Sequence, residues 1–323
     1  MMPARELVKA AQVSVTFDVR RAGGRRRAFQ AVRAVDLSVY EGEVLALVGE
    51  SGSGKTTLGR ALLRLIDTSS GAIEFCGKPI TPLNAAALRP LRREMQIIFQ
   101  DPFASLDPRM RVGDIIAEGL RIHNVGDAAT RAGRVAELLK QVGLEPEHAW
   151  RFPHALSGGQ RQRVGIARAL AVNPRFIVAD EPVSSLDVSV QAQIINLLCE
   201  LKEKLSLTLL FISHNLGVVR LIADRVAVMY LGRIVEIADA ETLFERPAHP
   251  YTRTLLASIP LPDPSQKLEP AALAGEMPSA LDPPSGCAFR TRCTQASTQC
   301  ASAVPPFETL RDGHGVACWH PRQ

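Results

Sequence analysis

No stretch of this chain approaches the roughly 18 consecutive apolar residues that a membrane-spanning helix needs. The longest candidates, Leu207–Ile212 and Val226–Tyr230, are strand-length. Membrane attachment is therefore expected only through partners. A secretory signal is missing too, because Arg5, Glu6 and Lys9 interrupt what would have to be its apolar core, so the chain is expected to stay in the cytosol. There is no internal repeat, no heptad pattern and no long low-complexity tract. The C-x2-C pair of common zinc sites is absent as well.

What is there reads as an ordinary globular protein. Its 323 residues are 46% apolar and 22% charged, enough for one large α/β domain and something smaller. The formal charge of +5 alone would allow nucleic-acid binding. Much of the excess is local, however: Arg20, Arg21, Arg25, Arg26, Arg27 and Arg33 crowd around Gly23 and Gly24. This segment reads either as a solvated hairpin loop between two early strands or as a contact for anionic lipid headgroups.

The most informative stretch is the apolar run Val44–Val48 followed by Gly49-Glu50-Ser51-Gly52-Ser53-Gly54-Lys55-Thr56-Thr57. The spacing G-x-x-x-x-G-K-T, set between a strand and a helix opening at Lys55, suits a loop whose backbone N–H groups wrap a phosphate chain. Lys55 would reach the β/γ-phosphates and the Thr56 hydroxyl would coordinate Mg²⁺. Gly49, Ser51, Gly52, Ser53, Gly54 and Thr57 complete the candidate nucleotide contacts.

Around this loop the pattern alternates strands with helices, which implies a mainly parallel sheet covered on both faces. Val13–Phe17 and Val35–Val39 alternate like an antiparallel flank, and Leu58, Leu62 and Leu65 extend the helix after the loop. A helical lobe is expected over about 101–155. Phe176–Asp180 and Leu207–Ser213 read as buried strands, and Asp224–Ile237 as a terminal hairpin about Gly232. Past Phe244 the composition shifts: Pro260, Pro262, Pro264, Pro270, Pro278, Pro283 and Pro284 fall within 25 residues, as in a linker or meandering small domain.

Chemistry-bearing residues occur in the order Lys55, Gln100, Ser157-Gly158-Gly159-Gln160, Asp180-Glu181, Asp187 and His214. That order resembles the ATP-binding subunits of ABC transporters, over about residues 5–245, with Leu156-Ser157-Gly158-Gly159-Gln160 as its most diagnostic piece. The resemblance implies a P-loop α/β fold with an antiparallel β flank and an inserted helical lobe, domain limits of 1–245 and 246–323, and ATP and Mg²⁺ as ligands. It assigns Asp180 to Mg²⁺, Glu181 to polarising the attacking water, and His214 to the γ-phosphate. Gln100 would sense metal and water, and Phe17 would lie against the adenine, although a strand phenylalanine is also simply core. Ser157–Gln160 and Asp187 would act on an opposing subunit's nucleotide, so that two chains close head-to-tail over two ATP molecules.

Cys287, Cys293, Cys300 and Cys318 cluster in the last 37 residues, whereas Cys76 and Cys199 fall in strand and helix patterns expected to be core. With C-x5-C-x6-C-x17-C spacing the four admit an iron–sulfur cluster, zinc or metal-free thiols. The tail, with His249-Pro250-Tyr251-Thr252-Arg253, Gly286-Cys287-Ala288-Phe289-Arg290 and Val316-Ala317-Cys318, resembles the extension of oligopeptide and dipeptide importer ATPases. That resemblance implies a [4Fe–4S] cluster on the four cysteines. It also implies two transmembrane permease subunits, an extracytoplasmic solute-binding protein, a related second ATPase, a place at the cytoplasmic face of the membrane, and no nucleic acid. A non-transport ABC ATPase acting on nucleic acid is the competing reading. The single P-loop and the short interval from Lys55 to Ser157 speak against it.

Overall fold

The computed structural model describes residues 5–20, 26–258, 277–310 and 313–322. In chain order the strands are β1 (Glu6–Arg20), β2 (Arg26–Tyr40), β3 (Val44–Val48), β4 (Ser70–Phe75), β5 (Lys78–Pro79), β6 (Met95–Ile98), β7 (Phe176–Asp180), β8 (Thr208–Ser213), β9 (Arg225–Tyr230), β10 (Arg233–Asp239), β11 (Glu308–Thr309) and β12 (Gly315–Val316). The α-helices are α1 (Lys55–Leu62), α2 (Ala85–Leu88), α3 (Val112–Ile122), α4 (Ala128–Gln141), α5 (Gly158–Leu170), α6 (Val188–Leu205), α7 (Leu216–Ile222), α8 (Ala240–Glu245), α9 (Pro250–Ala257) and α10 (Thr298–Ser302). None of the described helices is long and apolar enough to cross a membrane.

Contacts divide the chain into two units, each discontinuous in sequence. The first comprises Met1–Leu7, Val39–Glu43 and Pro82–Ile212. In it β6, β7 and β8 run parallel, in register from Met95 to Phe176 to Thr208. Every residue of β7 and β8 is buried, which is why both read as unbroken apolar runs rather than alternating ones. Helices α3 and α4 bury Val112, Ile115 and Ile116, and Val135, Leu138 and Leu139, at the i, i+3, i+4 positions of an amphipathic stripe.

The second unit comprises Val8–Ser38, Val44–Thr81 and Ser213–Gln323. It holds the antiparallel sheet β2-β1-β4-β5, and β3 paired parallel with β9. All five residues of β3 are buried, and each fully buried Val or Leu there contributes about 1.5–3 kcal/mol. The hairpin β9–β10 is not terminal, as its sequence suggested. Strand β12 pairs onto β10 through Glu236↔Val316 and Ile237↔Gly315, and β11 pairs onto β12. The C-terminal extension thus adds strands to the sheet that starts at β3 and β9.

Several expectations change. The flank strands are 15 residues each, so Arg26, Arg27 and Arg33 belong to β2 rather than to a loop. Arg27 pairs with Asp282 at 3.3 Å, and Arg33 donates to the Ala280 carbonyl at 3.1 Å, which accounts for two of the basic residues by contact with the extension. The rest of that segment, residues 21–25, lies outside the described residues, as do Pro260, Pro262, Pro264 and Pro270. Helix α1 ends at Leu62 because Arg64 turns into the left-handed region (φ +53°), and Leu65 is left largely exposed. Cys76 and Cys199 are half-buried, not core.

The extension is fastened by one buried carboxylate. Glu236, with no exposed surface, accepts from the N–H groups of Ala248 at 2.6 Å and His249 at 3.0 Å and pairs with His314 Nε2 at 2.7 Å. A buried carboxylate without such partners would cost several kcal/mol, so the three segments that meet it are held together. His249 is also fully buried, and its Nδ1 accepts the Tyr251 N–H at 3.0 Å. Burial, with Arg253 adding to it against Glu236, lowers its pKa from 6.5 to about 4. Below pH 6.5 the unfolded chain takes up a proton that the folded one refuses, so this residue's contribution is present above pH 6.5 and is lost as pH falls toward 4. Stability in urea is expected to fall by up to about 3 kcal/mol between pH 7 and pH 4.5 from this group. In His249→Asn, which keeps a capping acceptor, that part of the acid-induced loss is expected to vanish; an unchanged pH profile would assign it elsewhere.

Candidate functional site

In the second unit the loop after β3 carries the chain into α1 at Lys55. Gly49 has φ +150° and Gly54, at the N-cap of α1, has φ +105°. A Cβ at Gly49 would stand 2.2 Å from the Met229 carbonyl oxygen, and one at Gly54 would stand 2.4 Å from that of Ala31. Strands β9 and β2 therefore press on the loop and admit only glycine at its two ends. The loop is also tied from within and behind, by Ser53 N–H to Glu50 O (3.2 Å) and Gly232 N–H to Ser53 O (2.8 Å).

Lys55 is buried, and its ammonium donates to the carbonyls of Gly49 and Glu50 at 2.8 Å each, with Ser53 Oγ at 3.4 Å. The charge thus lies within the loop's own curve, at a helix N-terminus whose first N–H groups have no intrahelical acceptor and whose dipole favours an anion. Thr56 and Thr57 occupy that first turn, half-buried, and Ser51 and Gly52 are exposed on the loop. Phe17, on β1, is 40% exposed and stacks on Phe29 at 6.5 Å. It is therefore not a core residue. His214 follows β8 directly and is exposed, just before Asn215, whose side chain caps α7.

In the first unit Asp180 ends β7, 2% exposed, and Glu181 follows in a left-handed conformation, φ +46°. For a non-glycine residue this costs on the order of 1–3 kcal/mol and persists only where surroundings enforce it. Here Glu181 N–H donates to Ile212 O at 3.0 Å, and Ser184 returns its N–H and hydroxyl to Glu181 O at 3.3 and 3.1 Å. The carboxylate so aimed accepts from Gln100 Nε2 at 3.0 Å. Residues 81 positions apart are brought into one hydrogen-bonded pair.

Ser157 is the N-cap of α5 with a complete capping box: Gln160 N–H donates to Ser157 Oγ at 3.3 Å, and Ser157 N–H to Gln160 Oε1 at 3.0 Å. The serine and glutamine thus serve the ordinary capping role, and the first-turn N–H groups of Gly158 and Gly159 remain outside the helix ladder. A Cβ at Gly159 would stand 2.6 Å from Val190 Cγ1, so close packing against α6 also requires that glycine. Asp187 sits at the N-cap position of α6, exposed, with no side-chain capping bond.

Cys287, Cys293, Cys300 and Cys318 line one cavity with about 10 Å³ of accessible space, room for a single water. Burial raises the thiol pKa of Cys287 and Cys293, and pushes that of Cys318 up to about 11, with the neighbouring cysteines adding to it. Four soft donors on one cavity match a thiophilic centre in type and number. Among the described residues, however, no group of three or more His, Cys, Asp or Glu side chains is arranged to hold a metal ion, so the expected iron–sulfur cluster gains no geometric support.

Sequence reasoning missed Glu50, Tyr251 and Arg292 as a group. Glu50 is a variable position of the loop pattern, and Arg292, which pairs with it at 2.9 Å, lies 242 positions away. Only the three-dimensional fold brings them together.

The family description "ABC transporter" matches residues 32–184, and "Oligopeptide/dipeptide transporter, C-terminal region" matches residues 235–300. A Brucella abortus protein named for peptide import ATP binding is 56% identical over 284 residues, covering 88% of this chain and 90% of its own. The oligopeptide transport ATP-binding protein AppF of Bacillus subtilis is 50% identical over 292 residues, covering 90% of this chain and 89% of its own. Among solved structures, a dimeric ATP-binding cassette in a post-hydrolysis state with ADP and Pi is 30% identical with a TM-score of 0.65, covering 72% of this chain and 99% of that one.

The close approach at Gly49 is open to test. Gly49→Ala is expected to cost on the order of 1–3 kcal/mol in stability and to abolish binding of a fluorescent ATP analogue. Wild-type affinity in that variant would show that the Met229 carbonyl does not constrain the loop.

Proposed function

Because this chain belongs to the ABC transporter ATP-binding subunits of the oligopeptide and dipeptide import group, we propose that it binds and hydrolyses ATP as one half of a head-to-tail pair and so drives peptide uptake. The observation that carries the catalytic part is the Gln100–Glu181 pair, held by the strained backbone at Glu181. Glu181 acts as the base that polarises the attacking water, and Gln100 orients it. Lys55 and the α1 N-terminus bind the phosphates, His214 contacts the γ-phosphate, and Phe17 receives the adenine. Thr56 and Asp180 each carry an oxygen that suits Mg²⁺, a cation that would offset phosphate charge. Gly158 and Gly159 offer their first-turn N–H groups, with Ser157, Gln160 and Asp187 beside them, to the nucleotide of the opposing subunit. Closure of the pair excludes water and completes each site, so turnover follows assembly.

The partner ATPase is proposed to be a related chain rather than a copy. The pair works beneath two transmembrane permease subunits at the cytoplasmic face, fed by an extracytoplasmic solute-binding protein. A groove of about 540 Å³ in the helical lobe, lined by α3, α4 and the exposed Trp150, supports docking of a permease segment there. The four-cysteine cavity is proposed to take up a [4Fe–4S] cluster. Donor number and type support this, and loading would require the thiols to give up their protons.

Glu181→Gln is expected to retain ATP binding while steady turnover falls by about 10²–10⁴-fold; undiminished turnover would remove Glu181 as the base. Anaerobic affinity purification from solubilised membranes is expected to recover two membrane-spanning proteins, a second ATPase and bound iron. Recovery of nucleic acid instead would favour the competing reading, and iron-free protein would leave the cysteines as thiols.

A further inference from the structure

Glu50 is held at all three of its polar groups. Its N–H donates to the Tyr251 hydroxyl at 2.9 Å, its carbonyl accepts from Lys55 at 2.8 Å, and both carboxylate oxygens accept from one Arg292 nitrogen, at 2.9 and 3.2 Å. Two of these three partners come from the C-terminal extension rather than from the nucleotide-binding fold. The Arg292 side chain is only 4% exposed and Glu50's 24%, so this is not a solvent-screened surface pair. Tyr251 has no exposed surface, and burial pushes its hydroxyl pKa well above the usual range, so the hydroxyl stays protonated.

The extension is itself built to hold these two groups still. Phe289 meets Tyr230 edge-on at 5.4 Å and Tyr251 at 5.3 Å, and Tyr230 lies 4.7 Å from Tyr251. Arg292 grows from the turn that Phe289 anchors, its N–H donating to Phe289 O at 2.9 Å. The aromatic cluster fixes the turn, the turn fixes Arg292, and Arg292 fixes the loop.

We propose that Arg292 and Tyr251 are positioning residues for nucleotide binding, holding Glu50 so that the phosphate loop keeps one curvature. Tyr251 occupies the Glu50 N–H and so takes it out of the set of donors the loop can offer to phosphate. A loop released at Glu50 samples other curvatures, and apparent affinity falls with the fraction that stays competent. This inference rests on the reading that the loop binds nucleotide, and it extends that reading to a part of the chain that touches no phosphate.

The test is nucleotide affinity in the full-length protein, by titration with a fluorescent ADP analogue and Mg²⁺, beside the melting temperature and steady ATP turnover. Arg292→Met is expected to raise the dissociation constant about tenfold or more, with turnover at saturating ATP changed far less, while Arg292→Lys stays within about threefold of wild type. Tyr251→Phe is expected to weaken binding a few-fold. Glu50→Gln combined with Arg292→Met should be no weaker than Arg292→Met alone, since the two changes remove one interaction. The proposal is overturned if Arg292→Met binds nucleotide like wild type, whatever its melting temperature, or if Lys fails to restore affinity. It is likewise overturned if the losses at Glu50 and Arg292 simply add. Should the wild-type protein itself bind no nucleotide, the underlying reading falls first, and that outcome is told apart by the unmutated control.

Discussion

A loop can wrap a phosphate chain only if its backbone donors point inward and its curvature survives without the ligand's help. That constraint organises the second unit. The Met229 and Ala31 carbonyls press on Gly49 and Gly54, the Gly232 N–H holds Ser53 O, and Tyr251 and Arg292 hold Glu50. Each tie comes from a different segment: β9, β2, the β9–β10 turn and the extension. The loop motif is nine residues long, and its farthest tie reaches across 242 positions, from Glu50 to Arg292.

The same logic explains why the extension is part of the second unit's fold rather than a tail. Strands β11 and β12 continue the antiparallel sheet past β10, and Glu236 joins the start of α9 to the segment leading into β12 through three short contacts. A buried carboxylate is costly unless fully satisfied, so losing any of its three partners weakens all of them. His249, kept neutral by burial, makes this fastening sensitive to acid. On the proposed reading, the cysteine cavity lies within a framework that also steadies the nucleotide loop.

In the first unit the proposed chemistry rests on strain and on helix starts. Glu181 sits in a backbone region that an L-residue enters at a cost, and the Ile212 carbonyl and the Ser184 turn hold it there. The glycines after Ser157 serve two ends together: Gly159 lets α5 approach Val190 of α6, and the helix start leaves N–H donors for an anion. On the proposed reading, the capping box of α5 and its nucleotide contact use the same residues, seen from inside and outside the chain.

How much of this was legible beforehand depended on range. The loop 49–57, the buried runs Val44–Val48 and Phe176–Asp180, and the helix start at Ser157 were readable because each is a local pattern whose backbone consequences lie within a few residues. The order of those patterns carried the family and hence the activity. The lengths of β1 and β2 were not readable: their polar, arginine-rich ends carry no apolar alternation, and they are strands only because they pair. Nor was the β10–β12 ladder, which joins Glu236 to Val316 across 80 residues, or the grip of Arg292 on Glu50. By itself the sequence determined what chemistry the chain carries, since spacing along a strand–loop–helix is a local property. Only the tertiary structure decided what holds that chemistry in shape, because the enforcing carbonyls, hydroxyl and guanidinium are neighbours through folding alone.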